Sequence, residues 1–256
     1  ISVYLGTPPS YFKMWYESVL FNKDITFLIV CDKSFYDGVL SLGLNLMMNV
    51  RFVIKTLEEI KEDIKKSVKV ESVSLGFPYK LCDFKPFWGL VYKDYLVEFD
   101  FWGYCDLDTI FGDFINQFDL SDEKINRYQR WGHLFLIRNT PEYTNLFLKT
   151  TTGENKYVTY LDACAEDINV LFDELNGFYK IWQIYNNDSI RINNNFVDIK
   201  FRYFNFYDSN GYAENKFVLL FDNGHLFSIA KNGRGERKEL FYCHFQRRKM
   251  QYLGSS

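Results

Sequence analysis

The N-terminal part of the chain alternates between short apolar runs and segments with apolar side chains at helical spacing. Strands are predicted at 1–6, 25–32 and 50–55, and helices at 10–22 and 56–68. The continuous apolar run at 25–32 is typical of a strand that is covered on both faces. Ser10 is the expected N-cap of the first helix, and Thr56 with Glu59 forms a capping box at the second. This order predicts an open α/β sheet with mainly parallel strands, in which ligands bind beyond the carboxyl ends of the strands.

The polar run at 33–38 is predicted to be a loop, and 39–49 shows no clear pattern. Another helix is predicted within 77–96, with Pro86 in its first turn. Its expected buried face consists of Phe87, Leu90, Val91 and Tyr95. The polar residues just before it, Lys80, Asp83 and Lys85, are expected to cluster near a helix N-terminus, which favours an anion.

The second half of the chain has a different pattern. A strand is predicted at 131–139, followed by a helix with Thr140 at its cap and Pro141 in its first turn. Residues 186–195 are polar and are predicted to be a loop. From Phe217 onward, apolar segments separated by "DNG" and "NGRG" turns predict a three-stranded antiparallel meander.

Composition narrows the class of protein. The 256 residues are 47% hydrophobic and 25% charged, which is ordinary for a globular protein with a substantial core. The net charge of −3 argues against a general nucleic-acid binder. The five cysteines form no C-x-x-C pair and are interpreted as reduced thiols. No apolar run has the length that spans a bilayer, and no signal peptide is recognised.

Two aspartates close the strand predicted at 99–106. The stretch 99–113 reads "FDFWGYCDLDTIFGD", so Asp106 and Asp108 are two positions apart. Side chains at such positions of an extended strand point the same way and can share one cation. Mg²⁺ and Mn²⁺ prefer oxygen ligands and are often held by carboxylates together with substrate phosphates. The alternative is a solvated turn after a strand, because D-x-D arises often by chance.

A histidine and three cations follow near the C-terminus. His244 ends a predicted strand and could ligate a metal through a neutral imidazole. Arg247, Arg248 and Lys249 come next and could hold phosphates. The alternative is a basic, solvated tail with a half-buried histidine. His133 and His225 are not expected to bind metal.

Asp173 and Glu174 lie in "VLFDELNGFYKIW", after an apolar run. Either carboxylate could accept the proton of an attacking hydroxyl group. The alternative is an acidic first turn of a helix, which the helix dipole favours in any case. The chain contains no P-loop, nucleophile-elbow or dinucleotide fingerprint.

Five motifs taken together resemble a family of small bacterial GT-A-type glycosyltransferases. They are "YKLCDFKP", "FDFWGYCDLDTIFGD", "GHLFLIRN", "FDE" and "HFQRRKM". These enzymes act in capsule, lipopolysaccharide and other surface-polysaccharide biosynthesis. The resemblance runs over about residues 1–250 and is most specific at 79–113. It implies a fold of class α/β, namely a GT-A-like, Rossmann-type mixed sheet flanked by helices, with a smaller antiparallel β region on the acceptor side.

The resemblance also implies a site and its ligands. The donor is a nucleotide-sugar, most often a UDP-sugar, and the cation is Mn²⁺ or Mg²⁺. By position, Asp106 and Asp108 are the D-x-D pair and His244 completes the metal site. Nucleotide and diphosphate contacts are expected at Asp32, Lys80, Asp83 and Asp106, with Arg247, Arg248 and Lys249 on the phosphates. A single domain is expected over 1–253, with a nucleotide-sugar half at about 1–113 and an acceptor half at about 114–253, and residues 254–256 are interpreted as a cloning remnant.

Two other functions remain open. A nucleotidyltransferase would also use a metal and a nucleotide, but it normally has a Gly-rich loop near its first strand, whereas "YLGTPPSYF" has one Gly and two Pro. A non-catalytic carbohydrate-binding module would suit the 20% aromatic content, yet it needs no D-x-D. For a glycosyltransferase we expect a cytoplasmic location and a glycan acceptor, lipid-linked at the membrane. The basic, aromatic stretch at 245–253 is a candidate for weak contact with the inner membrane.

Overall fold

The structure is a computed structural model that describes residues 1–150, 157–199, 206–208, 217–230 and 237–246. These residues form a mixed α/β fold. Its strands are β1 (Ser2–Tyr4), β2 (Phe27–Cys31), β3 (Val50–Ile54), β4 (Phe101–Cys105), β5 (Thr109–Phe111), β6 (Arg127–Trp131), β7 (Leu134–Arg138), β8 (Ile190–Arg191), β9 (Phe196–Ile199), β10 (Phe206–Asp208), β11 (Phe217–Asp222), β12 (His225–Ala230), β13 (Lys238–Leu240) and β14 (Tyr242–His244). They are arranged in the sheets β1-β2-β3, β4-β7-β6-β8, β10-β9-β14-β5 and β11-β12-β13.

Helices connect and cover these sheets. The α-helices are α1 (Phe12–Leu20), α2 (Lys33–Ser41), α3 (Leu57–Val68), α4 (Trp88–Val91), α5 (Pro141–Thr144), α6 (Tyr160–Ala165) and α7 (Phe178–Asn186). Short 3-10 segments lie at Pro78–Phe87, Lys93–Tyr95, Ile115–Gln117, Leu146–Leu148 and Asn187–Ser189. None of the helices in the described ranges is long and apolar enough to cross a membrane.

The parallel sheet has β2 at its centre, as the apolar run predicts. Every residue of β2 is buried. Leu28 and Val30 pack into one hydrophobic cluster, while Phe27, Ile29 and Cys31 pack into another on the opposite face. The alternation of side chains along a strand therefore supplies both faces of the core.

Strand β1 also connects the parallel sheet to the sheet of β4. The Ile1 nitrogen donates to the Gly103 carbonyl at 2.7 Å, and the Cys105 amide donates to the Ile1 carbonyl at 3.3 Å. Ile1 therefore bonds to the two residues on either side of Tyr104. This is the hydrogen-bond pattern of two parallel strands. The carboxyl ends of β1, β2 and β4 therefore lie along one edge, and Asp32 and Asp106 directly follow β2 and β4 there.

The smaller sheets bring distant parts of the chain together. Strands β11, β12 and β13 form the predicted antiparallel meander, although the "NGRG" turn lies outside the described residues. Strand β14 pairs antiparallel with β5 and parallel with β9. Strands from both sides of residue 113 thus share sheets, and the division into two functional halves stays a prediction.

Three local predictions were wrong. Residues 33–38 begin helix α2 rather than forming a loop, because the Asp32 carboxylate caps the helix by accepting from the Phe35 amide at 2.9 Å. Ser10 does not cap α1, whose N-cap position is Tyr11. The segment before β4 is mainly 3-10 rather than a single α-helix, and it buries Tyr92 instead of Tyr95.

The capping box predicted at α3 is present. The Thr56 hydroxyl accepts from the Glu59 amide at 3.2 Å, and the Glu59 carboxylate accepts from the Thr56 amide at 2.7 Å. Thr56→Ala removes one of these bonds, and we expect it to lower the free energy of unfolding by about 1 kcal/mol in a urea titration. Thr56→Ser keeps the hydroxyl and should remain within a few tenths of a kcal/mol of the original chain. Equal losses in both variants would contradict a capping role.

Candidate metal and substrate site

The D-x-D motif lies in the tight turn between β4 and β5. Backbone and side-chain hydrogen bonds fix this turn from three directions. The Asp106 amide donates to the His133 carbonyl at 2.9 Å, and the Thr109 hydroxyl donates to the Asp106 carbonyl at 2.6 Å. The Phe245 amide donates to the Asp108 carbonyl at 3.0 Å. The two carboxylates are therefore presented by a backbone that has little freedom to move.

His244 comes to this turn through the pairing of β14 with β5, which sets it opposite Thr109. Its Nε2 lies 3.5 Å from Oδ1 of Asp108. One ligand atom each of Asp106, Asp108 and His244 fall within 4.8 Å of one another. Two carboxylates and one imidazole suit Mn²⁺ or a similar divalent cation, with room for substrate oxygens as further ligands. The structure thus brings the three predicted ligands together.

A second group with possible ligands shares the same histidine. It consists of His133, Asp198 and His244, all of them buried. The rings of His133 and His244, however, stack with centroids 4.0 Å apart and planes 17° from parallel. A metal lies close to the plane of the imidazole that binds it, about 2.0–2.1 Å from the nitrogen. Two stacked rings cannot both meet that condition for one ion without rotating, so the first group is the better candidate for a metal site.

The charges around His244 favour a cation at this position. Burial alone would lower the pKa of His244, but hydrogen bonds to Asp108 and Asp198 outweigh it and raise the pKa to about 10. Burial lowers the pKa of the neighbouring His133 well below its usual value, so that ring is neutral. A carboxylate on each side of His244 therefore stabilises positive charge, either as the imidazolium proton or as a bound divalent ion.

Lys85 connects the D-x-D motif to the predicted catalytic acids. Its Nζ lies 2.8 Å from Oδ1 of Asp106 and 3.1 Å from Oδ2 of Asp173, and it donates to the Gly132 carbonyl at 2.7 Å. The ammonium group is buried, and all three contacts are with acceptors of negative or partial negative charge. Burial raises the pKa of Asp173 to about 7, although Lys85 offsets part of the effect. Lys85 is thus the main charge that balances this side of the site, a role the sequence did not reveal.

The two predicted catalytic acids occupy different environments. Asp173 is only 2% exposed and is bound by Lys85. Glu174 is half-buried and lies against Gly132, where an added Cβ would come within 2.4 Å of Oε1. Both precede α7 and lie outside its first turn, so the helix-dipole interpretation does not apply. A substrate hydroxyl would reach Glu174 more readily than Asp173.

Lys80 and Asp83 cannot contact a nucleotide in this structure, which corrects the prediction. Both side chains are completely buried, and Lys80 Nζ lies 2.8 Å from Oδ2 of Asp83. Asp83 also accepts from the amides of Val170 at 2.9 Å and Phe172 at 3.0 Å. A buried ion pair with these backbone bonds fixes the loop before Asp173. In the structure the pair therefore holds the backbone just before Asp173.

Asp32 keeps a half-buried position at the end of β2. Its carboxylate accepts from the Gly6 amide at 3.0 Å as well as capping α2. Both contacts use backbone donors, so the carboxylate ties the end of β1 to the start of α2. Arg247, Arg248 and Lys249 lie outside the described residues, and their predicted phosphate contacts stay predictions.

A cavity of about 290 Å³ opens beside the D-x-D turn. Its walls are the strand β1, the segment Pro78–Phe87 and the end of β4, with Tyr11, Tyr79 and Lys85 on the lining. Asp106 and Asp108 line the same cavity. Its volume is at the lower end of the range for small-molecule sites, and aromatic walls with a few polar groups are typical of such sites.

Comparison with known proteins identifies the family but no activity. The family described as "Family of unknown function (DUF6625)" matches residues 1–255, so the chain belongs to that family. No curated protein and no solved structure matches the chain.

The contacts of Lys85 predict a large loss of stability when its charge is removed. Lys85→Met leaves Asp106 and Asp173 without their shared cation, and removing one partner of a buried pair costs about 3–5 kcal/mol. Urea unfolding should show a loss of this order, whereas Lys93→Met, at an exposed lysine, should change the free energy of unfolding by less than about 0.5 kcal/mol. A change in Lys85→Met as small as in Lys93→Met would contradict the assigned role.

Proposed function

We propose that this member of the DUF6625 family is a metal-dependent glycosyltransferase of the GT-A type. It would transfer a sugar from a nucleotide-sugar, which the family resemblance implies is a UDP-sugar, to a glycan acceptor in bacterial surface-polysaccharide assembly. The observation that carries the proposal is the convergence of Asp106, Asp108 and His244 at the carboxyl edge of the sheet, beside a cavity of about 290 Å³.

The sheet arrangement is compatible with the proposed fold. A parallel set β3-β2-β1 continues through backbone bonds of Ile1 into β4, which is followed by the antiparallel strand β7. In open α/β sheets, ligands bind beyond the carboxyl ends of the strands, where Asp106 and the cavity lie. This supports a GT-A-like arrangement, with the donor nucleotide over β1 and its diphosphate at the D-x-D turn.

The site residues divide into groups that face different parts of the reaction. Asp106, Asp108 and His244 would hold Mn²⁺ or Mg²⁺, which would neutralise the charge that develops on the leaving diphosphate. Lys85 holds Asp106 in place and keeps a positive charge near the same region. Arg247, Arg248 and Lys249 remain our candidates for the phosphates, by their place in the sequence after His244.

Glu174 is the better candidate for a general base if the reaction inverts the anomeric configuration. It is more exposed than Asp173, and it lies against the Gly132 backbone. Such a group must lie within hydrogen-bond reach of the acceptor hydroxyl, and a half-buried carboxylate at the rim of the site satisfies that condition more easily than a fully buried one. Asp173 then serves to balance Lys85.

The acceptor and the location of the reaction follow from the resemblance and remain proposals. We propose a cytoplasmic enzyme that meets a lipid-linked glycan at the inner face of the membrane. The stretch 245–253, our candidate for weak contact with anionic lipids, lies largely outside the described residues. Each basic residue near such a surface contributes roughly 1 kcal/mol, so contact through this stretch alone would be weak and sensitive to salt.

Nucleotide titrations test the central proposal. The chain should bind UDP more tightly when Mn²⁺ is present, as measured by isothermal titration calorimetry. Asp108→Ala should lose that metal dependence because one of the cation's carboxylate ligands is gone, while Asp94→Ala, at an exposed aspartate, should behave like the original chain. Sugar binding without any nucleotide binding would instead favour a carbohydrate-binding module.

A screen of donor hydrolysis over UDP-, GDP- and CMP-sugars identifies the donor. Variants of the two acids then test the assignment of the base. With the donor found, Glu174→Gln should lower kcat by about 10²–10⁴-fold and leave Mn²⁺-dependent nucleotide binding unchanged, as expected for a general base. Asp173→Asn should chiefly lower stability, because it removes the charge that pairs with Lys85. Full activity in Glu174→Gln would rule out this residue as the base.

A further inference from the structure

Strand β9 places an aspartate beside the histidine of the candidate metal site. In the parallel pairing of β9 with β14, Asp198 lies opposite His244 and Phe196 lies opposite Tyr242. The rings of Phe196 and Tyr242 stack with centroids 4.6 Å apart and planes 6° from parallel. Positions two apart along a strand point to the same side, so this stacked pair fixes the register that also sets Asp198 against His244.

The two nitrogens of the His244 ring have different neighbours. Nδ1 lies 3.0 Å from Oδ1 of Asp198, and Nε2 lies 3.5 Å from Oδ1 of Asp108. Asp198 and His244 are 8% and 7% exposed, so water competes little for this contact. One side of the ring therefore faces a carboxylate within the fold, and the other side faces the D-x-D turn.

Stacking restricts the ring further. His133 covers one face of His244, with centroids 4.0 Å apart, and His133 is itself held by a hydrogen bond of 2.8 Å between its Nε2 and the Tyr242 hydroxyl. Rotation of the His244 ring about the Cβ–Cγ bond would break both the Asp198 contact and the stacking on His133. The ring orientation is thus determined by groups that do not belong to the proposed metal ligands.

We propose that Asp198 is a positioning residue, which accepts a hydrogen bond from Nδ1–H of His244 and so directs the lone pair of Nε2 toward the cation. This inference rests on the proposed function of the site. In metalloproteins, a carboxylate on the second nitrogen of a ligating histidine fixes the tautomer and ring orientation, and losing it typically reduces metal affinity by 10–100-fold.

Asp198 is not itself well placed as a ligand through the oxygen that faces His244. That oxygen, Oδ1, also accepts from the Ile199 amide at 2.7 Å and lies 3.4 Å from Nε2 of Gln246. Donors from three directions leave this oxygen engaged within the fold. The geometry therefore assigns Asp198 a supporting role, with Nε2 of His244 as the group that meets the cation.

Mn²⁺ binding to the full chain tests the inference, with pulsed electron paramagnetic resonance as the second readout. The original chain should bind Mn²⁺ and show nitrogen modulation from a ligating imidazole, and His244→Ala should lose that modulation. Asp198→Ala should bind Mn²⁺ 10–100-fold more weakly and lose most of the nitrogen modulation, because the ring is no longer oriented. Asp198→Asn keeps an oxygen acceptor, so its Mn²⁺ affinity and nitrogen modulation should lie between those of the original chain and those of Asp198→Ala.

The chain supplies a matched control in a second histidine–carboxylate pair. His225 Nδ1 lies 2.7 Å from Oε1 of Glu239 on the surface, and neither residue belongs to the groups of possible metal ligands among the described residues, so Glu239→Gln should change neither Mn²⁺ affinity nor the nitrogen modulation. Circular dichroism and urea unfolding confirm that the variants remain folded, and Asp198→Asn supplies the decisive comparison if Asp198→Ala does not fold.

The outcomes distinguish failure of the inference about Asp198 from failure of the proposed function. Unchanged Mn²⁺ affinity and nitrogen modulation in the folded Asp198 variants would overturn the inference and leave the metal site intact. Weaker Mn²⁺ binding with unchanged nitrogen modulation would also overturn it, because His244 would then be oriented without Asp198. If the original chain bound no Mn²⁺, the proposed function and the inference would both fail.

Discussion

The pairing of β14 between β5 and β9 is the constraint on which the candidate site depends. These backbone bonds set His244 opposite Thr109 on one side and opposite Asp198 on the other. The Phe245 amide then closes onto the Asp108 carbonyl, so the end of β14 and the D-x-D turn form one hydrogen-bonded unit. Backbone ladders tolerate little slippage when one face is buried, since a shift of one residue would turn every side chain over. The positions of the candidate ligands therefore follow from strand register more than from contacts between the ligands.

The balance of charge gives this arrangement its chemical meaning. Carboxylates gather around the turn, and the basic side chains that contact them within the described residues are Lys85 and His244. Burial raises the pKa values of Asp106, Asp173 and Glu174, because their negative charges are poorly solvated here. Lys85 alone cannot balance the negative charges of the D-x-D turn, because it also binds Asp173 and the Gly132 carbonyl. A divalent cation between Asp106, Asp108 and His244 would stabilise the charged form of these carboxylates.

The sequence predicted features that depend on neighbouring residues and missed those that depend on distant ones. The buried strand β2 and the capping box at α3 have local signatures, and both are present. That Asp106, Asp108 and His244 lie together was predicted from the resemblance of their motifs to a known family. Asp198 carries no local signal, because its role arises only when β9 lies next to β14. Lys80 and Asp83 were misjudged for the opposite reason, since a polar pair before a predicted helix suggests solvent, whereas tertiary packing buries it completely.

The position of β14 in the chain has a consequence for biosynthesis. The D-x-D turn and β4 leave the ribosome long before His244, and β9 also precedes it. The candidate site consequently cannot be completed while the earlier strands fold, because β14 must first pair between β5 and β9. Non-local strand pairings of this kind are slow to form and leave edges exposed in the meantime. Assembly of the candidate site is thus one of the last events in the folding of the described chain, and the strand edges of β5 and β9 that β14 covers stay unpaired until then.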